Sequence, residues 1–159
     1  ATVLHDPELL ILDEPFSGLD PINANLLKEE IDRLNEQGKT IIFSTHRMEQ
    51  VEAICEDIAL ISNGQVVLQG PVEGLKQQFK KNIFFPRFAG SISEAFKERY
   101  QPELIREGEI QVQLEPGADS NEMLRMLVRE GVHVSEYREI LPSLNEIFID
   151  QVQNPSHVA

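Results

Sequence analysis

The chain has 159 residues, of which 41% are hydrophobic and 26% charged, and its 14 Lys+Arg against 27 Asp+Glu leave a net charge of −13 at pH 7. That length and mix suit one or two small globular domains. No apolar run approaches the ~20 residues that span a bilayer, no charged-then-apolar leader opens the sequence, and the single cysteine, Cys55, excludes an internal disulfide. The acidity is uneven, with 4 Lys+Arg against 14 Asp+Glu in residues 1–75. Such a field repels a phosphate backbone or an anionic lipid surface, so no nucleic-acid partner is expected.

The first apolar run, Leu9-Leu10-Ile11-Leu12, is closed by Asp13-Glu14-Pro15 and reads as a strand buried on both faces, as in a parallel sheet. Ligands of open α/β sheets bind beyond the carboxyl ends of the strands, so the two carboxylates stand where chemistry is done. Strand alternation sends them to opposite sides, one to a metal's shell and the other to a water. Next, Asp20-Pro21 reads as an N-cap followed by proline at the first helical position. Ile22, Leu26, Leu27, Ile31 and Leu34 then recur at helical spacing until Gly38. Lys39 to Ser44 forms a second strand that ends in Thr45-His46. A right-handed strand-helix-strand crossover makes the two strands parallel and brings Asp13, Glu14 and His46 to one edge of the sheet.

Met48, Val51, Ile54 and Cys55 give a short amphipathic helix. Ile58 to Ser62 and Val66 to Gln69 are two strands around Asn63-Gly64, a strong type I′ hairpin signal. Val72 to Phe79 makes a further helix, and the composition shifts at Lys80-Lys81-Asn82, which divides the chain into domains 1–81 and 82–159. The second begins with Ile83-Phe84-Phe85 as a strand, Ser91 to Tyr100 as a helix, and alternating Ile110, Val112 and Leu114 as a strand. A helix from about Asp119 buries Met123, Leu124, Leu127 and Val128. Val132 to Val134 opens a third strand, and Ser143-Leu144-Asn145-Glu146 is a capping box before the last helix. This order predicts a small α+β domain with a ferredoxin-like arrangement. His5, His133 and His157 have no metal-ligand spacing.

Three of these segments carry a resemblance. Leu9 to Pro15 resembles the Walker B strand of ABC-type ATPases, Ser17-Gly18-Leu19-Asp20 their D-loop, and Ser44-Thr45-His46 their switch histidine, in the family's order and spacing. The resemblance implies a fold class of α/β, a partial P-loop NTPase sheet followed by the small α+β domain. It also implies ATP and Mg²⁺ as cofactors, Asp13 holding the metal through its water shell and Glu14 polarising the attacking water. His46 would contact the γ-phosphate, Asp20 would help couple the two halves of a dimer, and Asp13, Ser17, Asp20 and His46 together would be the cofactor-binding residues. Glu115 to Asp119 and Pro142 to Phe148 are similar to the C-terminal domain appended to some bacterial drug- or sodium-export ATPases. That tail reads as a packing, dimerisation or regulatory module.

No Gly-x-x-x-x-Gly-Lys-Ser/Thr loop and no Leu-Ser-Gly-Gly run occur in the 159 residues. The chain is therefore expected to be the C-terminal part of a longer ATP hydrolase, and alone neither to bind ATP tightly nor to turn it over. The partners implied are a transmembrane permease and a second ATPase subunit, as a homodimer, at the cytoplasmic face of the cell membrane. A soluble ATPase of the same fold acting in DNA repair or translation, and a non-catalytic binding module, are the alternatives.

Overall fold

The structure is a computed structural model that describes residues 3–153. It divides into two compact units: the described residues up to Val72 together with those from Phe148, and Glu73–Ile147. The described residues form an α/β protein with one parallel and two antiparallel sheets. None of its helices is long and apolar enough to cross a membrane.

The first unit opens with β1 (Leu9–Asp13), α1 (Pro21–Glu36) and β2 (Thr40–Ser44). β1 and β2 pair in parallel, with Leu9 opposite Thr40 and Asp13 opposite Ser44, so the strands end level. Asp20 starts the intervening helix as read from sequence. Its Oδ1 accepts from the amides of Ile22 at 2.9 Å and Asn23 at 3.1 Å, and Pro21 needs no amide partner at the first helical position. Leu10, Phe16, Ile31 and Leu34 are buried, and Phe16 meets Phe43 edge-on at 6.0 Å.

β1 is not buried on both faces, however. Leu10 is 4% exposed while Leu9 is 49% and Ile11 71% exposed. Its sheet has two strands among the described residues, and so less apolar surface is covered than the sequence pattern anticipates. The same shortage leaves Ile22 and Leu26 of α1 exposed rather than inward, with Ile31 and Leu34 carrying the packing.

After α2 (Met48–Ile54), β3 (Asp57–Ser62) and β4 (Gln65–Pro71) form an antiparallel hairpin. Asn63 and Gly64 both take positive φ, 51° and 76°, as a type I′ turn requires. α3 (Val72–Gln78) follows.

The second unit contains β5 (Ile83–Ala89), α4 (Glu94–Tyr100), β6 (Glu103–Arg106), β7 (Glu109–Gln113), α5 (Ser120–Arg129) and β8 (His133–Ile140), and α6 (Leu144–Gln153) comes after them. The four strands form one antiparallel sheet in the order β6-β7-β5-β8. Phe84, Phe88, Ile110, Val112 and Val132 pack with Phe96 of α4 and with Met123 and Leu127 of α5 in a single core.

Three elements differ from the sequence reading. β6 was not anticipated: Glu103 to Arg106 are all exposed, so the strand has no buried alternation to betray it and is defined by its backbone pairing to β7. β5 continues through Pro86, although it is a central strand. Its pairing with β8 runs unbroken from Ile83 to Arg87, while its pairing with β7 skips from Phe84 to Arg87, where proline has no amide to give. α4 begins at Glu94 rather than Ser91, because the Ser93 hydroxyl accepts from the Phe96 amide at 3.0 Å and caps the helix there. In α5, Met123 and Leu127 are buried as expected, but Val128 is 59% exposed.

Gly108, in the β6-β7 turn, has φ +74°, and a Cβ there would meet the Phe88 carbonyl oxygen at 2.6 Å. The Phe88 amide donates to the Gly108 carbonyl at 2.8 Å, so this close approach fastens the turn to β5. The capping box forms as read: Ser143 N–H and Oγ–H donate to Glu146 Oε2 at 2.8 Å each, and the Glu146 amide donates to Ser143 Oγ at 3.2 Å.

Candidate functional site

The level ends of β1 and β2 set two short loops side by side. Glu14 leaves β1 with φ +45°, in the left-handed region that costs a non-glycine residue about 1–2 kcal/mol. Two backbone hydrogen bonds offset that cost. The Glu14 amide donates to the Ser44 carbonyl at 3.0 Å, and the Ser17 amide donates to the Glu14 carbonyl at 3.0 Å. Because Glu14 lies past the end of β1, simple strand alternation does not direct its side chain. The turn does, and it brings the carboxylate to the loop that follows β2.

Three donors hold it there. His46 Nδ1 lies 2.6 Å from Glu14 Oε1, the His46 amide donates to the same oxygen at 3.1 Å, and the Thr45 hydroxyl stands 3.2 Å from Oε2. An ionised carboxylate only accepts, so this contact puts a proton on Nδ1 and leaves Nε2 for another partner. Together the contacts hold the Glu14 carboxyl below the usual glutamate range. The His46 ring hydrogen bond contributes most, with its charge, its amide and the Thr45 hydroxyl adding to it and burial opposing them. Asp13 goes elsewhere: its Oδ1 accepts from the Ser44 hydroxyl. The two carboxylates thus keep separate side-chain partners.

Asp13, Glu14 and His46 therefore meet at one edge. Asp20 does not join them by hydrogen bonding, because its carboxylate is committed to capping α1. The Asn23 amide and side chain and the Ile22 amide keep it ionised below the usual aspartate range. Ser17 is exposed on the connecting loop, where its amide closes the turn.

Sequence reasoning took Ser44 and Thr45 only as part of the motif around His46 and gave Gln50 no role, yet all three touch Asp13 or Glu14 directly or through one hydroxyl. The signal for the first two was present, since two adjacent hydroxyl residues end an otherwise apolar strand. Gln50 lies on α2, and nothing local points from it to the site.

Among the described residues no group of three or more His, Cys, Asp or Glu is arranged to hold a metal ion by itself. The donor set of Asp13, an exposed carboxylate beside a serine hydroxyl, fits Mg²⁺ in its usual manner. That ion keeps several waters and takes one or two carboxylates together with substrate phosphates.

Comparison with known proteins extends this reading. Residues 70–152 match the family described as ATP-binding protein DrrA1-3-like, C-terminal domain. The uncharacterized ABC transporter ATP-binding protein YhaQ of Bacillus subtilis (strain 168) is 39% identical over 158 residues, covering 96% of this chain and 51% of that protein. The uncharacterized ABC transporter ATP-binding protein BpOF4_11395 of Alkalihalophilus pseudofirmus is 36% identical over 96% of this chain and 57% of its own. NatA of Bacillus subtilis (strain 168), an ABC transporter ATP-binding protein, is 36% identical over 57% of this chain and 39% of its own. A solved ATP-binding subunit of an ABC transporter is 36% identical, with a TM-score of 0.43 over 46% of this chain and 30% of that one. The chain belongs to the ABC transporter ATP-binding proteins of the DrrA1-3-like kind. It spans about half the length of the curated relatives it matches from end to end.

Proposed function

We propose that the 159 residues supply the hydrolytic edge of an ABC-type ATPase whose turnover drives transport across a membrane. The observation that carries this is the 2.6 Å contact between Glu14 and His46, formed across the ends of two parallel strands with Asp13 beside it. In this reading Glu14 is the general base that orients and deprotonates water. His46 holds that carboxylate through Nδ1 and would offer Nε2 to the terminal phosphate, and Asp13, beside the Ser44 hydroxyl, would hold Mg²⁺. Ser17 and Asp20 sit on the loop that would face a second ATPase subunit. ATP and Mg²⁺, when bound, supply the phosphoryl group and neutralise its charge. The protein's part is positioning and electrostatics, which dominate phosphoryl transfer.

The 159 residues contain no glycine-rich phosphate loop, so alone they would neither bind Mg-ATP tightly nor hydrolyse it. Residues 1–81 are assigned to the ATPase part and belong to a P-loop type sheet, which the β1-β2 parallel pairing supports. Residues 82–159 are assigned to an accessory domain of ferredoxin-like topology, for which the strand-helix-strand-strand-helix-strand order and the sheet order β6-β7-β5-β8 speak. The partners are a transmembrane permease and a second copy of the ATPase, at the cytoplasmic face of the membrane. Homology to ABC transporter ATP-binding proteins favours this over a soluble repair or translation ATPase.

Steady-state turnover by the complete ATP-binding protein with His46→Ala tests the assignment. The expected result is a fall in kcat of about 10²-fold with ATP affinity nearly preserved, and an unchanged kcat would contradict it. Isothermal titration of the 159-residue chain with Mg-ATP should show no tight binding; micromolar affinity would overturn the division of labour.

A further inference from the structure

Asp13 and Ser44 stand directly opposite each other in the parallel ladder of β1 and β2, and the Ser44 hydroxyl donates to Asp13 Oδ1. The direction of that bond follows from the groups around the hydroxyl. Its oxygen also lies 3.4 Å from the Glu14 amide, which can only donate, so the hydroxyl's own proton goes to the carboxylate, which only accepts. The last torsion of an aspartate is broad and roughly two-fold, so one directed donor is enough to choose the plane of the carboxylate. Both oxygens keep lone pairs for other ligands. Among the described residues Asp13 is in no ion pair, which leaves its charge for a cation from outside the chain.

Ser44 also holds Glu14, but with a different group. Its carbonyl accepts from the Glu14 amide at 3.0 Å, the shorter of that amide's two contacts, at the turn where Glu14 has φ +45°. The serine's side chain thus serves Asp13 and its main chain serves Glu14.

We propose that Ser44 is a positioning residue for Asp13, its hydroxyl setting the plane in which that carboxylate meets a divalent cation. This rests on the reading of Asp13 as the Mg²⁺ carboxylate. Every residue carries the carbonyl that anchors Glu14, so losing the hydroxyl changes metal affinity and spares the chemical step. Threonine and valine make the comparison, because both are β-branched and suit a strand, and only threonine keeps a hydroxyl.

Mn²⁺, followed by electron paramagnetic resonance, is the probe, in the complete ATP-binding protein holding a non-hydrolysable ATP analogue. Ser44→Val should weaken Mn²⁺ binding by about 5-fold, with Ser44→Thr within about two-fold of the parent, as expected for a partner that orients a metal's carboxylate. The single-turnover rate at saturating Mg²⁺ should stay within about two-fold of the parent's in both variants. Asp13→Asn should weaken Mn²⁺ binding more than Ser44→Val does, and adding Ser44→Val to it should change little, since both act through one carboxylate. Equal Mn²⁺ affinities in Ser44→Val and Ser44→Thr, with Asp13→Asn weakened, would overturn the proposal and leave the reading of Asp13 standing. A single-turnover rate that falls in Ser44→Val at saturating Mg²⁺ would also overturn it, as the mark of a residue that merely supports the sheet. Unchanged Mn²⁺ affinity in Asp13→Asn would overturn the reading of Asp13 and the proposal with it.

Discussion

Glu14 and Asp20 lie six positions apart and do opposite things with similar carboxylates. Glu14 is drawn by a left-handed turn onto His46, whereas Asp20 is spent on the start of α1. The cap was legible because it is local: Asp before Pro, then apolar residues at helical spacing. The turn at Glu14 was not, because its φ is fixed by the Ser44 carbonyl, which lies 30 residues further along the chain. Removing the cap with Asp20→Ala should destabilise the first unit by about 1 kcal/mol, read as a lower urea midpoint with unchanged slope.

Glu146 is held below the usual glutamate range mainly by the Ser143 amide, then by its hydroxyl. Its folded value is lower than its unfolded one. The stability it contributes is therefore present at neutral pH and is lost as pH falls below about 4.3 and through the lowered value. Glu146→Gln should flatten that part of the decline, seen by comparing urea midpoints at about pH 6 and about pH 3.5. A variant with the same pH dependence as the parent would mean that the Glu146 carboxylate contributes nothing to acid sensitivity.

At the scale of elements, what the sequence disclosed followed from whether an element announces itself locally. Asn63-Gly64 and Ser143 to Glu146 do so, and both formed as read. β6 does not. Its four residues are exposed, Leu104 by 70%, and its existence depends on β7 and on the turn at Gly108. β5 was read too short for a related reason: Pro86 looks like a stop to local reasoning, yet one face of the ladder accommodates it. Gly108 offers the sharper prediction. Gly108→Ala carries the left-handed cost of about 1–2 kcal/mol and a backbone collision at 2.6 Å as well. Gly117→Ala has a similar φ of +85° with nothing within 4 Å, and so carries the backbone cost alone. Gly108→Ala should therefore lower the thermal midpoint clearly more than Gly117→Ala, and equal shifts would mean that the turn is free to move off β5.

The molecule as a whole divides its labour between its two units. The second owns a dense core in which Phe96, Met123 and Leu127 are fully enclosed. Leu127→Ala should cost about 2–5 kcal/mol there. The first unit keeps Leu9, Ile11, Ile42, Ile22 and Leu26 exposed, a set the sequence alone would place inside. Sequence patterning gives the face an apolar residue belongs to, but not how many strands are present to cover it.

In the proposed function Glu14 is the general base at this edge. Single-turnover hydrolysis of Mg-ATP by the complete protein with Glu14→Gln tests it most directly, since the amide keeps the shape and removes the base. The expected rate is lower by about 10²–10⁴-fold with nucleotide binding retained. A single-turnover rate within about two-fold of the parent's would contradict it.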